Sequence, residues 1–264
     1  MDEQEALEQQ TRAKWETLRP SFAAWAAESG ESPSEFDRIV EDQVEYARVR
    51  YQKQRAVAEL EQSSVIWDRI TGEEANSLQA LLDTNPDEAA MHHFLVVNPR
   101  LLVQVMAGGH GRYQLSKKRL GAEFVPDFLI AETSSMGIEW HAVELESPSS
   151  VAHRRDGLPA NSLNLAIAQI RDWRKWVMNN LDYARRSQAQ DGLGLVGIDP
   201  RMSGIVLIGR RHLYPDRFNE FRRQMIDREH ILIHSYDWLV DVAQSNKSGS
   251  LRMGLSHDLR ELSE

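Results

Sequence analysis

The chain has 264 residues, 41% of them hydrophobic, with 31 Lys and Arg against 40 Asp and Glu and no cysteine. That composition supports a sizeable core and excludes disulfides and thiolate metal sites, so any metal here must use carboxylates, histidines, carbonyls or water. The formal charge of −9 argues against a nucleic-acid partner until its distribution is read: residues 1–90 hold 20 acids and nine Lys or Arg, residues 91–264 hold 20 and 22. Only the second part could meet a phosphate backbone comfortably.

No apolar run approaches the roughly 18–20 residues needed to span a bilayer, so no membrane segment is expected. The acidic, polar start MDEQEALEQQ is unlike a secretory leader, and the chain reads as cytoplasmic. Residues 2–28 read as helix, with Trp15, Leu18, Phe22 and Trp25 at helical spacing and Pro20 kinking or splitting it. SGESPS breaks the pattern, and Ser34 is placed to cap a second helix over 35–62. Two such helices bury little alone and need each other, the rest of the chain or another subunit.

From residue 74 the texture changes. EANSLQALLD and PDEAAMHHFLVVNP read as short helices, followed by the apolar run LLVQVM (101–106), the turn GGHGR and a strand near YQLS (113–116). VPDFLIA and IEWHAVELE are two strands joined by the turn ETSSMG. LPANSLNLAIAQIRDWRKWVMNNL is the best helix, with Leu163, Ile167, Ile170, Val177 and Leu181 on one face and Asn161 or Ser162 as its cap. GIVLIG reads as a buried strand, 215–228 as helix, HILIHS as strand and YDWLVDVAQ as a closing helix. Strands alternating with helices imply an α/β sheet covered on both faces. QSNKSGS (244–250) reads as flexible.

Three acids interrupt the strand pair. Side chains alternate along a strand, so Glu144 and Glu146 face one way while Val143 and Leu145 face the other, and Asp127 opposes Phe128 and Ile130. If the strands are neighbours, the three carboxylates converge and repel. Either some are protonated or a cation sits between them, and oxygen ligands in this number suit Mg²⁺ or Mn²⁺. Glu132 and Glu139, near strand ends, read as solvated, and His92, His93, His141 and His153 as satisfied or surface residues.

PDFLI followed by VELESP resembles the PD-(D/E)XK nuclease motif. FLVVNPRLL, EFVPDFLI, HAVELESPSS, AIAQIRDWRKW, IVLIGRR and SYDWL, in that order, resemble the Shedu anti-phage nuclease family over roughly residues 80–245. The resemblance implies an α/β, restriction-endonuclease-like fold, a mixed central sheet flanked by helices, and an N-terminal helical region of unmatched sequence. It assigns Asp127 and Glu144 as metal ligands, with a backbone carbonyl from Leu145, and places Gln169 beside the site and Glu88 as a further acid. The motif's lysine is here Glu146, which cannot supply positive charge but could accept a proton or bind a second metal. Lys117 or Lys118 could reach the site from the preceding strand.

The expected organisation is an accessory or oligomerisation region at 1–72, a nuclease domain at 73–246 and a tail at 247–264. The expected activity is Mg²⁺-dependent hydrolysis of DNA phosphodiesters in defence against phage, with Mn²⁺ as a possible substitute. Asp127, Glu144, Glu146 and Gln169 form the catalytic set. Arg112, Lys117, Lys118, Arg119, Arg154 and Arg155 would hold the DNA backbone, and the two N-terminal helices imply a homo-oligomer. The other reading is a catalytically silent module that binds DNA or a partner protein.

Overall fold

A computed structural model describes residues 3–65, 70–106 and 110–247. The start of the glycine-rich turn, and all of the tail beyond residue 247, lie outside the described residues.

The N-terminal run is split as Pro20 dictates. Helix α1 (Glu3–Glu16) ends before α2 (Arg19–Ser29), which carries the proline in its first turn, where a missing N–H costs nothing. Gly30, at φ 77°, closes α2 by donating its N–H to the Ala26 carbonyl at 2.9 Å. Helix α3 (Glu35–Glu61) then runs 27 residues, about 40 Å. Ser34 precedes it without a side-chain cap bond. The first half of α3 builds a small cluster of its own, where Phe36, Val40 and Val44 meet Trp15 and Phe22. Its second half does something else: Ala56 and Leu60 enter the main core. The Glu59 carboxylate there accepts from the Ser187 hydroxyl and from the backbone N–H groups of Gln188 and Ala189. The chain after α3 lies along the sheet edge, with Val65 N–H donating to the Arg112 carbonyl at 2.8 Å. The helix ends well inside the expected 1–72 region, yet its second half packs into the core of the second part.

Five strands form one mixed sheet in the order β1 (Gly111–Ser116), β2 (Phe128–Ser134), β3 (Gly137–Leu145), β4 (Ser203–Leu207), β5 (Ile231–His234). The first three are antiparallel neighbours, and β3, β4 and β5 are parallel. Parallel strands need long crossovers, supplied by α7 (Asn161–Asn179) and α9 (Phe218–Glu229). Alternation sorts the side chains onto two faces. Leu129, Ala131, Ala142 and Val206 pack with Leu163, Ala166, Ile167, Ile170 and Trp173 of α7. Phe128, Ile130, Val143, Leu145, Ile205 and Leu207 face α4 (Gly72–Asp83), α5 (Glu88–Val97) and α10 (Tyr236–Lys247). Each such fully buried aliphatic or aromatic side chain stabilises the fold by roughly 1.5–3 kcal/mol.

The apolar run LLVQVM begins as a helical turn: Arg100–Val103 form α6, entered through Pro99. Leu101, Leu102 and Val103 are all fully buried, and a short apolar run without alternation cannot distinguish strand from helix. One local expectation is corrected. Helix α7 starts after Ala160 with no side-chain cap, so neither Asn161 nor Ser162 does that work.

Because β3, β4 and β5 are parallel, their carboxyl ends finish on one edge of the sheet. In open α/β sheets that edge is where ligands bind.

Candidate functional site

The register of the antiparallel strands fixes the centre of this edge. Ser116 pairs with Phe128, and Phe128 with Val143, as the last row spanning β1, β2 and β3. One step further out, the same register brings Lys117, Asp127 and Glu144 into a single row. The Lys117 N–H still donates to the Asp127 carbonyl, at 3.0 Å. Pro126 then ends the ladder, since it has no N–H to give. The Asp127 side chain takes over: its Oδ2 accepts the Leu145 N–H at 2.8 Å. Its Oδ1 is ion-paired with the Lys117 ammonium. Asp127 is thus both the cap of the β2–β3 ladder and the acid at its mouth, and only 4% of it is exposed.

Glu144, 8% exposed, faces Asp127 from β3. Burial, then the charge of Asp127 and a hydrogen bond with it, then Glu146 and Glu88, push its carboxyl up to about 9. Without a cation Glu144 therefore keeps its proton at neutral pH. Glu146 is half-buried, and burial, then Glu88 and Asp127, raise it as well. Glu88 stands in the first turn of α5, after the Asp87 cap, and is raised by burial and then by Asp127. Four acids share one field. Tyr236, at the start of α10, is wholly buried beneath them and donates its hydroxyl to the Glu146 carbonyl at 2.8 Å. Burial first, and the same acids second, push that phenol well above its usual range, so it stays a neutral donor.

His92 is satisfied, as its reading has it, and it also stands beside this site. It sits one turn after Glu88 on α5 and stacks on Phe128 with ring centroids 4.7 Å apart. Its Nε2 meets the Ser116 hydroxyl at 3.1 Å, and burial followed by the Lys117 charge lowers its pKa, keeping the imidazole neutral. The Glu88–His92 spacing of four on one helix was the signal available in the sequence.

Other assignments are corrected. Gln169 lies exposed on α7, and among the described residues no hydrogen bond joins it to the acids. The periodicity fixed which face of α7 is buried, and Gln169 falls about 100° away from Ile170. Arg112 is buried, donates to the Val103 carbonyl at 3.0 Å and faces Glu132 across the β1–β2 register. It cannot hold a DNA backbone, and Glu132 is a buried partner of that arginine rather than a solvated acid. Lys118 is half-buried towards Glu59. Arg119, Arg154 and Arg155 are exposed, with Arg154 paired to Asp156. His153 is satisfied by the Arg154 and Leu213 carbonyls. His141 is neither satisfied nor at the surface: it is buried, and among the described residues neither ring nitrogen has a hydrogen-bond partner.

The donor set is made of hard oxygens, buried and mutually repelling, with a lysine ammonium already seated on one of them. That chemistry fits Mg²⁺ or Mn²⁺. As the side chains stand, no group of three or more His, Asp or Glu among the described residues is gathered closely enough to hold a metal. Nor is any helix among them long and apolar enough to cross a membrane. No curated protein is significantly similar to the chain. Residues 85–240, which contain the whole acid row, match the family described as Shedu protein SduA, C-terminal, and the chain belongs to that family.

Proposed function

We propose that this chain is a metal-dependent DNA endonuclease with a restriction-endonuclease-like core, acting in defence against phage. One observation carries the reading: the Asp127 and Glu144 carboxyls meet at the ends of adjacent strands, and burial followed by that neighbour pushes Glu144 up to about 9. Such a pair is unfavourable unless a cation is to be bound there.

Asp127, Glu144 and the Leu145 carbonyl would hold Mg²⁺ or Mn²⁺, with Glu88 at its margin. A divalent ion bound there supplies charge stabilisation and lowers the pKa of water at neutral pH. Glu146, whose carboxyl is raised by burial and then by Glu88 and Asp127, accepts the proton of the attacking water. Tyr236 fixes the backbone of Glu146 through its carbonyl, which holds that base on the sheet edge. The exposed Arg119, Arg154 and Arg155 hold the DNA backbone through its phosphates. The region 1–72 serves as an accessory head to the nuclease part at 73–246. Leu18, Trp25, Tyr46 and Val49 remain exposed on it, which favours a homo-oligomer, and light scattering that finds a monomer would end that part.

A second reading has its own support. Glu146 stands where such nucleases carry lysine, so a silent module that binds DNA or a partner remains its competitor. Incubation of linear and circular DNA with the protein in Mg²⁺, Mn²⁺ or EDTA separates them. Wild type should cut only with metal, Asp127→Asn should not cut, and Glu146→Gln should lose about tenfold to hundredfold. Full activity in Asp127→Asn removes the nuclease reading.

A further inference from the structure

The row Lys117–Asp127–Glu144 contains its own cation. Lys117 is one of four non-glycine residues among those described with positive φ, at 49°, a conformation that costs an ordinary side chain on the order of 1 kcal/mol and that clusters at functional positions. The conformation has a visible result. It turns the chain out of β1 while the backbone bond to the Asp127 carbonyl holds the Lys117 Cα in the row. The side chains are unequally enclosed: Asp127 is 5% exposed and Lys117 50%. The ammonium therefore closes the acid pair from the solvent side and can leave without unpacking anything. Its charge also acts on Glu88 and His92.

Resting on the nuclease reading, we propose that Lys117 has two stations. In the cation-free protein its ammonium is the counter-charge on Asp127, and it competes with divalent ions for that carboxylate. When a divalent ion takes the acids, Lys117 is released, still anchored in the row, to face the scissile phosphate. There it supplies the positive charge that Glu146 cannot.

The two stations are tested by different measurements on the full chain. Titration calorimetry with Mn²⁺ alone, without DNA, reads the first. Lys117→Met should bind Mn²⁺ about tenfold more tightly than wild type, the scale of a typical coupling between two sites. Lys117→Arg should bind it as weakly as wild type. Single-turnover cleavage reads the second, where Lys117→Met should lose about a hundredfold or more while Lys117→Arg keeps part of the rate. Lys117→Asn, whose short side chain tolerates the left-handed backbone, should repeat both effects of Lys117→Met and guards against a folding defect. Unchanged Mn²⁺ affinity in Lys117→Met and Lys117→Asn overturns the first station. Undiminished cleavage in both overturns the second while leaving the nuclease intact. A wild type that binds Mn²⁺ in competition with Lys117 yet never cuts DNA overturns the second station and the nuclease reading together, while the first stands.

Discussion

Replacing Glu144 by Gln should stabilise the cation-free protein, and by more as pH rises. Burial first, and the Asp127 carboxylate second, move the Glu144 carboxyl from 4.5 to about 9 on folding. A folded pKa above the unfolded one means that the folded state holds the extra proton between those values. Stability attributable to this group is therefore fully present at and below pH 4.5, falls as pH rises, and levels off above about 9. At about 1.4 kcal/mol per unit, the penalty at pH 7 is roughly 3 kcal/mol. That is an upper figure, because the neighbouring carboxylates rearrange and Lys117 offsets part of their charge. Gln keeps a donor facing Asp127, as the protonated acid does, so the substitution removes the titration and leaves the contact. One kcal/mol moves the melting temperature of a chain this size by about 2–4 °C, so the gain at pH 7 is at most roughly 6–12 °C. It should shrink to a degree or two at pH 5. Thermal melts in EDTA from pH 5 to 9 measure this directly. A wild type whose melting temperature is flat across that range, or a Glu144→Gln protein that melts lower at pH 8, refutes the crowding argument. Either result would mean that Glu144 is an ionised, well-solvated structural acid.

The same logic separates the roles of Asp127. Asp127→Asn keeps an acceptor for the Leu145 N–H, whereas Asp127→Ala leaves that buried donor unpaired and should be less stable by about 1–3 kcal/mol in urea denaturation. Equal stability of the two variants would remove the strand-capping role. His141, held down to about 4 by burial, works in the opposite pH direction from Glu144. Its folded pKa lies below 6.5, so its contribution is present above 6.5 and is lost as pH falls towards 4, by about 3 kcal/mol. His141→Leu should flatten that acid limb, and an unchanged limb would show that the ring is hydrated. Gly204→Ala should cost about 1–3 kcal/mol, because a Cβ there would stand 2.9 Å from Ile170 Cγ2 where α7 crosses β4. A wild-type melting temperature would mean that α7 can back away from the sheet.

The acid row was legible because two local signals agree. An aspartate enclosed by Val, Pro, Phe, Leu and Ile has no solvated strand face to occupy, and Val-Glu-Leu-Glu alternates with the strand period. The short turn between the strands then sets their register, which places Asp127 opposite Glu144. What stayed hidden depends on geometry that a sequence does not carry. Lys117 and Lys118 are chemically identical neighbours, and only the left-handed turn at Lys117 decides which reaches Asp127. Glu132 looks like a strand-end acid until it is seen buried opposite Arg112, which is itself anchored on the Val103 carbonyl. Gln169 was misplaced by one step around a helix whose buried face was itself read correctly.

The division of α3 between two hydrophobic clusters bears on how this protein opens. Val44 belongs to a cluster of five side chains, whereas Ala56 and Leu60 are locked into the sheet's core and held by the Glu59 contacts. Local opening free energies track such contact density. One uninterrupted helix should therefore exchange its amide hydrogens at two rates. Amides around Val40–Val44 should open with the head, and those around Ala56–Leu60 only with the whole protein. The cooperative boundary of the molecule then falls in mid-helix, about three turns before the loop at which the sequence changes texture. A truncation that respects the physics would end within α3, leaving its last turns attached to the sheet.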